Sequence, residues 1–448
     1  MIAKLRVAAA ACAVTLAAAA CAPGSSAPPS APPAQPSGGV RTDAAKLGNV
    51  TLTVWDQEVR GGQNAQMSKL VADFQAKYPN IKIKRVSRSF DDLNTTLRLA
   101  LTGNEPPDVV QANNGRPQMG AFVKAGQLRP LDAYAEAYGW KKRYPQSVLQ
   151  YVSYSSDGKI FGQGSVYGMP QVGEVVGVLY NKEKLAKLGL TPPKTWDDFQ
   201  AALAKAKAAG ETPLMLGNLD KWPAIHVFGT VQGQNVPADQ ISTLGFGRKG
   251  GSWNTPENTK AAQQLVDWVD KGYFNKGFNG EGYDPAWQAF GKGEGVFLIG
   301  GSWLLADLEK TMGKNLGFML PPGAPVATGG TGLPFSITAK SPNPDAAAAY
   351  IDFITNSDAM KVLTTNGLLP IADTEQQTVP AGPQQDMFTA FATISKQNGL
   401  APYLDYATPT FSDTLGAALQ DLLAKKQTPQ EFLATLEKDY KTFSDSNG

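Results

Sequence analysis

VTLTVW at residues 50–55, IKIKRV at residues 81–86 and DVV at residues 108–110 are three strand-like runs. Two stretches of helical periodicity separate them. Met67, Leu70, Val71, Phe74 and Tyr78 recur at helical spacing in the first, which Pro79 stops. Leu93, Leu97 and Leu101 mark the second, closed by Gly103. This βαβαβ order predicts a largely parallel, doubly wound α/β sheet. Ligands of such sheets sit beyond the carboxyl ends of the strands. That rule directs attention to residues 55–60 and 111–116.

The alternation continues beyond residue 170. Residues 175–180 and 296–299 read as strands, the second followed by Gly300-Gly301. Thr195-Trp196-Asp197-Asp198 is a loose capping box that opens a helix running to Gly210, and Thr428-Pro429-Gln430-Glu431 is a full one with Pro at the first helical position. Ala262, Leu265, Val266 and Val269 share a helical face, and residues 346–355 are helical after Pro344.

The N-terminus reads as an address. Lys4 and Arg6 precede an uncharged, alanine-rich run from Val7 to Ala20 that is too short to span a bilayer. Residues 1–20 are therefore expected to be a signal peptide. Ala18, Ala19 and Ala20 lead into Cys21, a pattern that resembles a bacterial lipobox; ordinary cleavage at the same alanines is the alternative, and both export the chain. Residues 21–48, rich in Ala, Pro, Ser and Gly, read as a tether behind a lipidated Cys21. Extracytoplasmic placement on the outer face of the cell membrane follows.

Composition excludes several classes. Without Lys4 and Arg6 the 41 basic residues become 39, equal to the 39 acidic ones, so nucleic acid is not an expected partner. Cys12 lies in the leader, which leaves Cys21 as the single mature cysteine and rules out an intramolecular disulfide or a thiolate metal cluster. His226 is the one histidine. No metal and no cofactor is expected.

The segments resemble the carbohydrate-type extracellular solute-binding proteins of ABC importers, whose familiar member is maltose-binding protein. The likeness covers residues 49–445. It rests on VTLTVWDQ with FQAKYPNIKI, on PPDVVQANNG with FVKAGQLRPLD, on YGMPQVGEVVGVLYNKEKLAKLGLTPPKTWDDF, on AFGKGEGVFLIGGSW and on GGTGLPFSITAKSPNPDAAAAYIDFI. The resemblance implies a two-lobed, type II periplasmic-binding-protein-like fold. Each lobe would be a mostly parallel sheet flanked by helices. Lobe 1 would comprise residues 49–170 and 325–370, and lobe 2 residues 174–320 and 374–445. The chain would cross the hinge three times, near residues 169–173, 321–328 and 369–373. It also implies a monomer that closes on its ligand and docks on the transmembrane subunits of an ABC permease.

Sugars offer hydroxyls and apolar C–H faces, so a sugar site needs aromatic platforms with carboxylates and amides. Eight tryptophans and fourteen tyrosines supply the first. Trp55, Asp56, Gln57 and Glu58 follow the first strand, although Trp55 also reads as core and Glu58 as a surface charge. Asn113 and Asn114 follow the third strand, where Asn114-Gly115 is equally a turn signal. Within the resemblance, Glu174 matches a sugar-binding glutamate, Asp220 and Trp222 match acidic and aromatic sugar contacts, and Trp303 of GGSW matches a stacking tryptophan. Tyr283 and Trp287, four apart, share a helical face that either lines the cleft or packs. Gly330 of GGTG offers backbone donors, and Phe411 is a further candidate. His226 reads as packed or surface.

An oligosaccharide of two to four units is the expected ligand. A glycoside hydrolase would need two acids at fixed separation, and the resemblance and tether argue against an enzyme. Binding of a peptide or other small solute, and a sugar-sensing subunit of a signalling system, stay open.

Overall fold

The computed structural model describes residues 39–447. The expected signal peptide, Cys21 and the tether as far as residue 38 lie outside the described residues. Among the described residues no helix is long and apolar enough to cross a membrane.

In the first lobe β1 (Val50–Asp56) buries Leu52, Val54 and Asp56 on alternate positions, as a period-two strand must. The helix Gly61–Lys77 lays Met67, Leu70 and Phe74 on the sheet and ends where Pro79 forbids another turn. β2 (Ile81–Ser87) then pairs in parallel with β1, Val50 opposite Ile81. Ser89 caps the next helix, Phe90–Thr102, by accepting the Asp92 N–H at 3.2 Å, and Leu93, Leu97 and Leu101 are its buried face. β3 (Val109–Gln111) adds in parallel on the other side of β1. A small hairpin of β4 (Ser153–Tyr154) and β5 (Ser165–Val166) follows.

The second lobe is built on β6 (Gly173–Asn181), buried along its whole length. Around it stand β7 (Leu214–Met215), β8 (Phe297–Gly301), β9 (Leu316–Met319), β10 (Ala327–Thr331) and β12 (Leu400–Ala401), whereas β11 (Phe335–Ile337) returns to the first sheet and pairs antiparallel with β3. The first sheet therefore runs β11-β3-β1-β2. The helix Trp222–Gln232 packs on the second sheet, and Pro256–Asp270 and Phe411–Leu423 pack on that helix with Pro429–Asn447 behind them. Thr195 and Asp198 form the reciprocal capping box that opens Trp196–Ala208.

The two-lobed α/β fold is as expected, with two differences. The second sheet is mixed. β6 is antiparallel to β8, β9 and β10, and only the β7–β8 and β10–β12 pairs are parallel. The cause is that β6 leaves the hinge outward while its direct neighbours run back toward it. The second hinge crossing also lies at residues 332–334, not 321–328, because residues 327–331 pair with β6 and β12; the stretch 325–331 thus belongs with the second lobe.

The three crossings lie side by side and bond to one another. Met169 and Phe335 exchange backbone hydrogen bonds at 2.9 and 3.0 Å. The N–H groups of Gly332, Gly173 and Ile371 donate to the carbonyls of Val172, Leu369 and Gln171.

Candidate functional site

Strand polarity assembles the cleft. β1 and β3 run toward it, so the segment after β1 brings Gln57, Arg60 and Gln63 to its wall and the turn after β3 brings Asn113. β6 starts there, which places Glu174, and β8 ends there, which places Trp303. β7 is parallel to β8, so the helix that follows it, Trp222–Gln232, presents Trp222, Ile225 and His226 from its first turns. Tyr403, Asp405 and Tyr406 arrive on a single 3₁₀ turn, and Phe90 and Leu333 complete the wall. The cavity volume is about 80 Å³, small beside the roughly 300–1,000 Å³ of typical small-molecule sites.

The aromatic groups are locked to one another. The Trp303 indole N–H donates to the Tyr283 hydroxyl at 2.8 Å, and the Tyr283 backbone N–H donates to the Asp220 carboxylate at 2.9 Å. The Trp222 ring centroid lies 4.3 Å from that of Tyr283 and 5.7 Å from that of Phe90 of the other lobe, edge to face. His226 sits between Trp303 at 5.3 Å and Tyr403 at 5.2 Å. Across the mouth the Arg60 guanidinium of lobe 1 pairs with Asp284 of lobe 2 at 2.9 Å and lies over the Tyr283 ring. The lobes are therefore in contact over the cavity.

The polar wall is poised for hydrogen bonding. Glu174 accepts the Tyr403 hydroxyl at 3.0 Å, yet burial pushes its carboxyl up to about 7. Burial also lifts Asp405 to about 6 and Glu58 to about 7, and it lowers the His226 imidazole to about 3, which keeps that ring neutral. Buried polar atoms almost always find partners. Around this cavity Arg60 Nε, Gln63 Oε1, Trp222 Nε1 and His226 Nδ1 have no protein partner, nor does Glu58 Oε2 just behind it.

Of the residues named from sequence, Gln57, Asn113, Glu174, Trp222 and Trp303 line the cavity. Asp220 and Tyr283 stand one layer behind, orienting Trp222 and Trp303. The others do not reach it. Trp55 packs beneath the Arg88 guanidinium at 4.3 Å. Asp56 is fully buried, with both oxygens taken by Arg85 at 2.6 and 2.8 Å. Glu58 accepts the Gln111 amide at 2.8 Å, and Gln111 in turn accepts the Gln57 N–H. Asn114 donates to Tyr151 O within its own lobe and to Thr331 Oγ1 across the lobes. Trp287 donates to Asp284 at 2.8 Å. Gly330 stands opposite Glu174 in the β10–β6 pair, where a Cβ would lie 2.8 Å from the Tyr151 ring. Phe411 is core, stacked on Trp253 at 5.3 Å.

Sequence reasoning missed Arg60, Gln63, Phe90, Tyr403, Asp405 and Tyr406 and discounted His226. Tyr403-Leu404-Asp405-Tyr406 carried a signal, two tyrosines three apart around an acid. Phe411, eight residues past Tyr403, drew the attention instead.

The family model of bacterial extracellular solute-binding proteins matches residues 61–361. An uncharacterized ABC transporter extracellular-binding protein of Pyrococcus horikoshii is 27% identical over 395 residues, covering 85% of this chain and 84% of that protein. The multiple sugar-binding protein of Streptococcus mutans is 26% identical over 337 residues, covering 72% and 74%. Among solved structures, a chitin oligosaccharide binding protein superposes with TM-score 0.73 at 23% identity over 89% of this chain and 99% of that one. The raffinose complex of the solute-binding protein RafE superposes with TM-score 0.70 at 20% identity over 88% and 99%. With its model matched over more than half its length, and with two lobes closing on one lined cavity, the chain belongs to the bacterial extracellular solute-binding protein family.

Proposed function

We propose that this protein captures a sugar, as an oligosaccharide or its terminal unit, between its lobes and delivers it to an ABC permease. It does so without catalysing a reaction. The observation that carries the reading is the cavity wall, in which aromatic faces stand beside amides and carboxylates. Trp222, Trp303, Tyr403 and Tyr406 would meet the C–H faces of the sugar. Gln57, Asn113, Glu174 and Asp405 would pair its hydroxyls. The names of the Streptococcus mutans relative and of the two structural neighbours support a sugar as cargo. In this reading Cys21 carries the lipid that holds a monomeric head at the outer face of the membrane.

Two of the lining residues are tryptophans, so occupancy is readable as intrinsic fluorescence. Titration of the purified protein with mono- and oligosaccharides is expected to give a saturable change at micromolar sugar, moved to roughly thirtyfold higher concentration in Trp303→Ala. A response to peptides or phosphorylated solutes, with none to any sugar, would replace the cargo and overturn the proposal.

A further inference from the structure

Among the described residues, the cavity holds two carboxyl groups with no ion-pair partner. Glu174 and Asp405 both line it. Tyr403, whose hydroxyl donates to Glu174, and Tyr406 flank Asp405 on the same turn, and both phenols feel the field of both carboxylates. Glu58 lies close enough to disfavour a charge on Glu174 further. Among the described residues Arg60 is the one arginine or lysine on the cavity wall; its charge favours an ionised Glu174, but its ion pair is with Asp284. His226 is held neutral by burial. Among the described residues no lysine or arginine forms an ion pair with Glu174 or Asp405.

Ionising these carboxyls without a paired cation is costly, which is why both are held toward the protonated form, and a charge-assisted hydrogen bond is about twice as strong as a neutral one. A sugar hydroxyl satisfies an oxygen lone pair but leaves the charge in place. An ammonium group does both. Phe90, Trp222 and Trp303 stand around the same space, and aromatic faces attract a cation with roughly 0.5–2 kcal/mol each. We propose that the site selects a sugar bearing a protonated amine, as a free amino sugar or as a unit of an oligosaccharide. The inference rests on the sugar reading above and narrows it.

Calorimetric titration of the purified protein near neutral pH tests this directly. The probes are glucosamine, galactosamine and β-linked glucosamine oligomers. Each is paired with the same sugar carrying a hydroxyl or an N-acetyl group in place of the amine. The amine member of at least one pair is expected to bind tenfold or more tightly than both neutral counterparts. Asp405→Asn and Glu174→Gln are each expected to shrink that ratio severalfold. Neutral sugars that bind as well as or better than every amine would overturn the inference and leave the sugar reading intact. So would a preference that survives both substitutions. Binding of no sugar of either kind would overturn both.

Discussion

Asp284→Asn isolates the ion pair between Arg60 and Asp284 that links the lobes beside the cleft. Asp284 does not itself line the cavity, so the substitution removes no wall side chain, and the new amide oxygen can still accept the Trp287 indole N–H. The Arg60 side chain is 14% exposed and that of Asp284 53%. A pair with one partner half in solvent is worth about 0.5–1 kcal/mol. The pair can form only when the lobes meet, so its loss lowers the closed-to-open ratio, and with it the apparent sugar affinity, by about two- to fivefold. Calorimetric titration at low salt is expected to show that loss. At about 1 M salt, where the screening length falls to roughly 3 Å, variant and wild type should converge. Burial opposes a charge on Asp284, but the Arg60 charge and the hydrogen bonds from Trp287 and Arg60 outweigh it and hold the carboxyl below its ordinary range. The sign follows: the contribution to closure is present above the ordinary carboxylate range and is lost only as pH falls through the lowered value. Unchanged affinity at low salt, or an equal loss at low and high salt, would refute the reasoning.

Other substitutions separate binding from stability. Trp303→Ala removes a cavity face and strips the Tyr283 hydroxyl of its donor; a loss of about 2 kcal/mol in sugar binding, roughly thirtyfold, is expected by calorimetry. Burial raises Glu174 from 4.5 to about 7, so the folded apoprotein holds a proton the unfolded chain releases, and the stability it contributes falls as pH rises across that window. Glu174→Gln should therefore gain thermal stability relative to wild type between about pH 5 and pH 8, by on the order of 2 kcal/mol; a pH-independent difference would contradict this. Phe411→Ala is expected to cost about 3–5 kcal/mol in urea unfolding while the folded fraction keeps its sugar affinity. Gly330→Ala forces a Cβ onto the Tyr151 ring at a φ of 140°, and a lowered melting temperature should report it.

The first lobe was legible because its signals are local. The periods of residues 50–56, 67–74 and 93–101 are those of its strands and helices, and the carboxyl-end rule led to Gln57 and Asn113. The second lobe was less so. Nothing in residues 173–181 says whether neighbours run with β6 or against it, since a strand buried on both faces looks the same in either case. Asp56 illustrates a further limit. An acid at the carboxyl end of a strand reads as a ligand contact, but Arg85, opposite Val54 on β2, takes both its oxygens. The sequence holds both residues and no mark that they are paired. Tyr403 and Asp405 enter the cavity from a turn far along the chain, and only tertiary packing brings them beside Glu174.

The three hinge crossings, hydrogen-bonded into one narrow ribbon at residues 169–173, 332–335 and 369–371, have a mechanical consequence. A single linker would let the lobes swivel and shear, whereas a ribbon bends across its thin direction and resists twisting in its plane. Opening is thereby restricted to one axis, and the lobes return to the same register each time. The same construction gives redundancy: a protease that nicks one crossing leaves two covalent connections, so a singly cut molecule remains one jointed body.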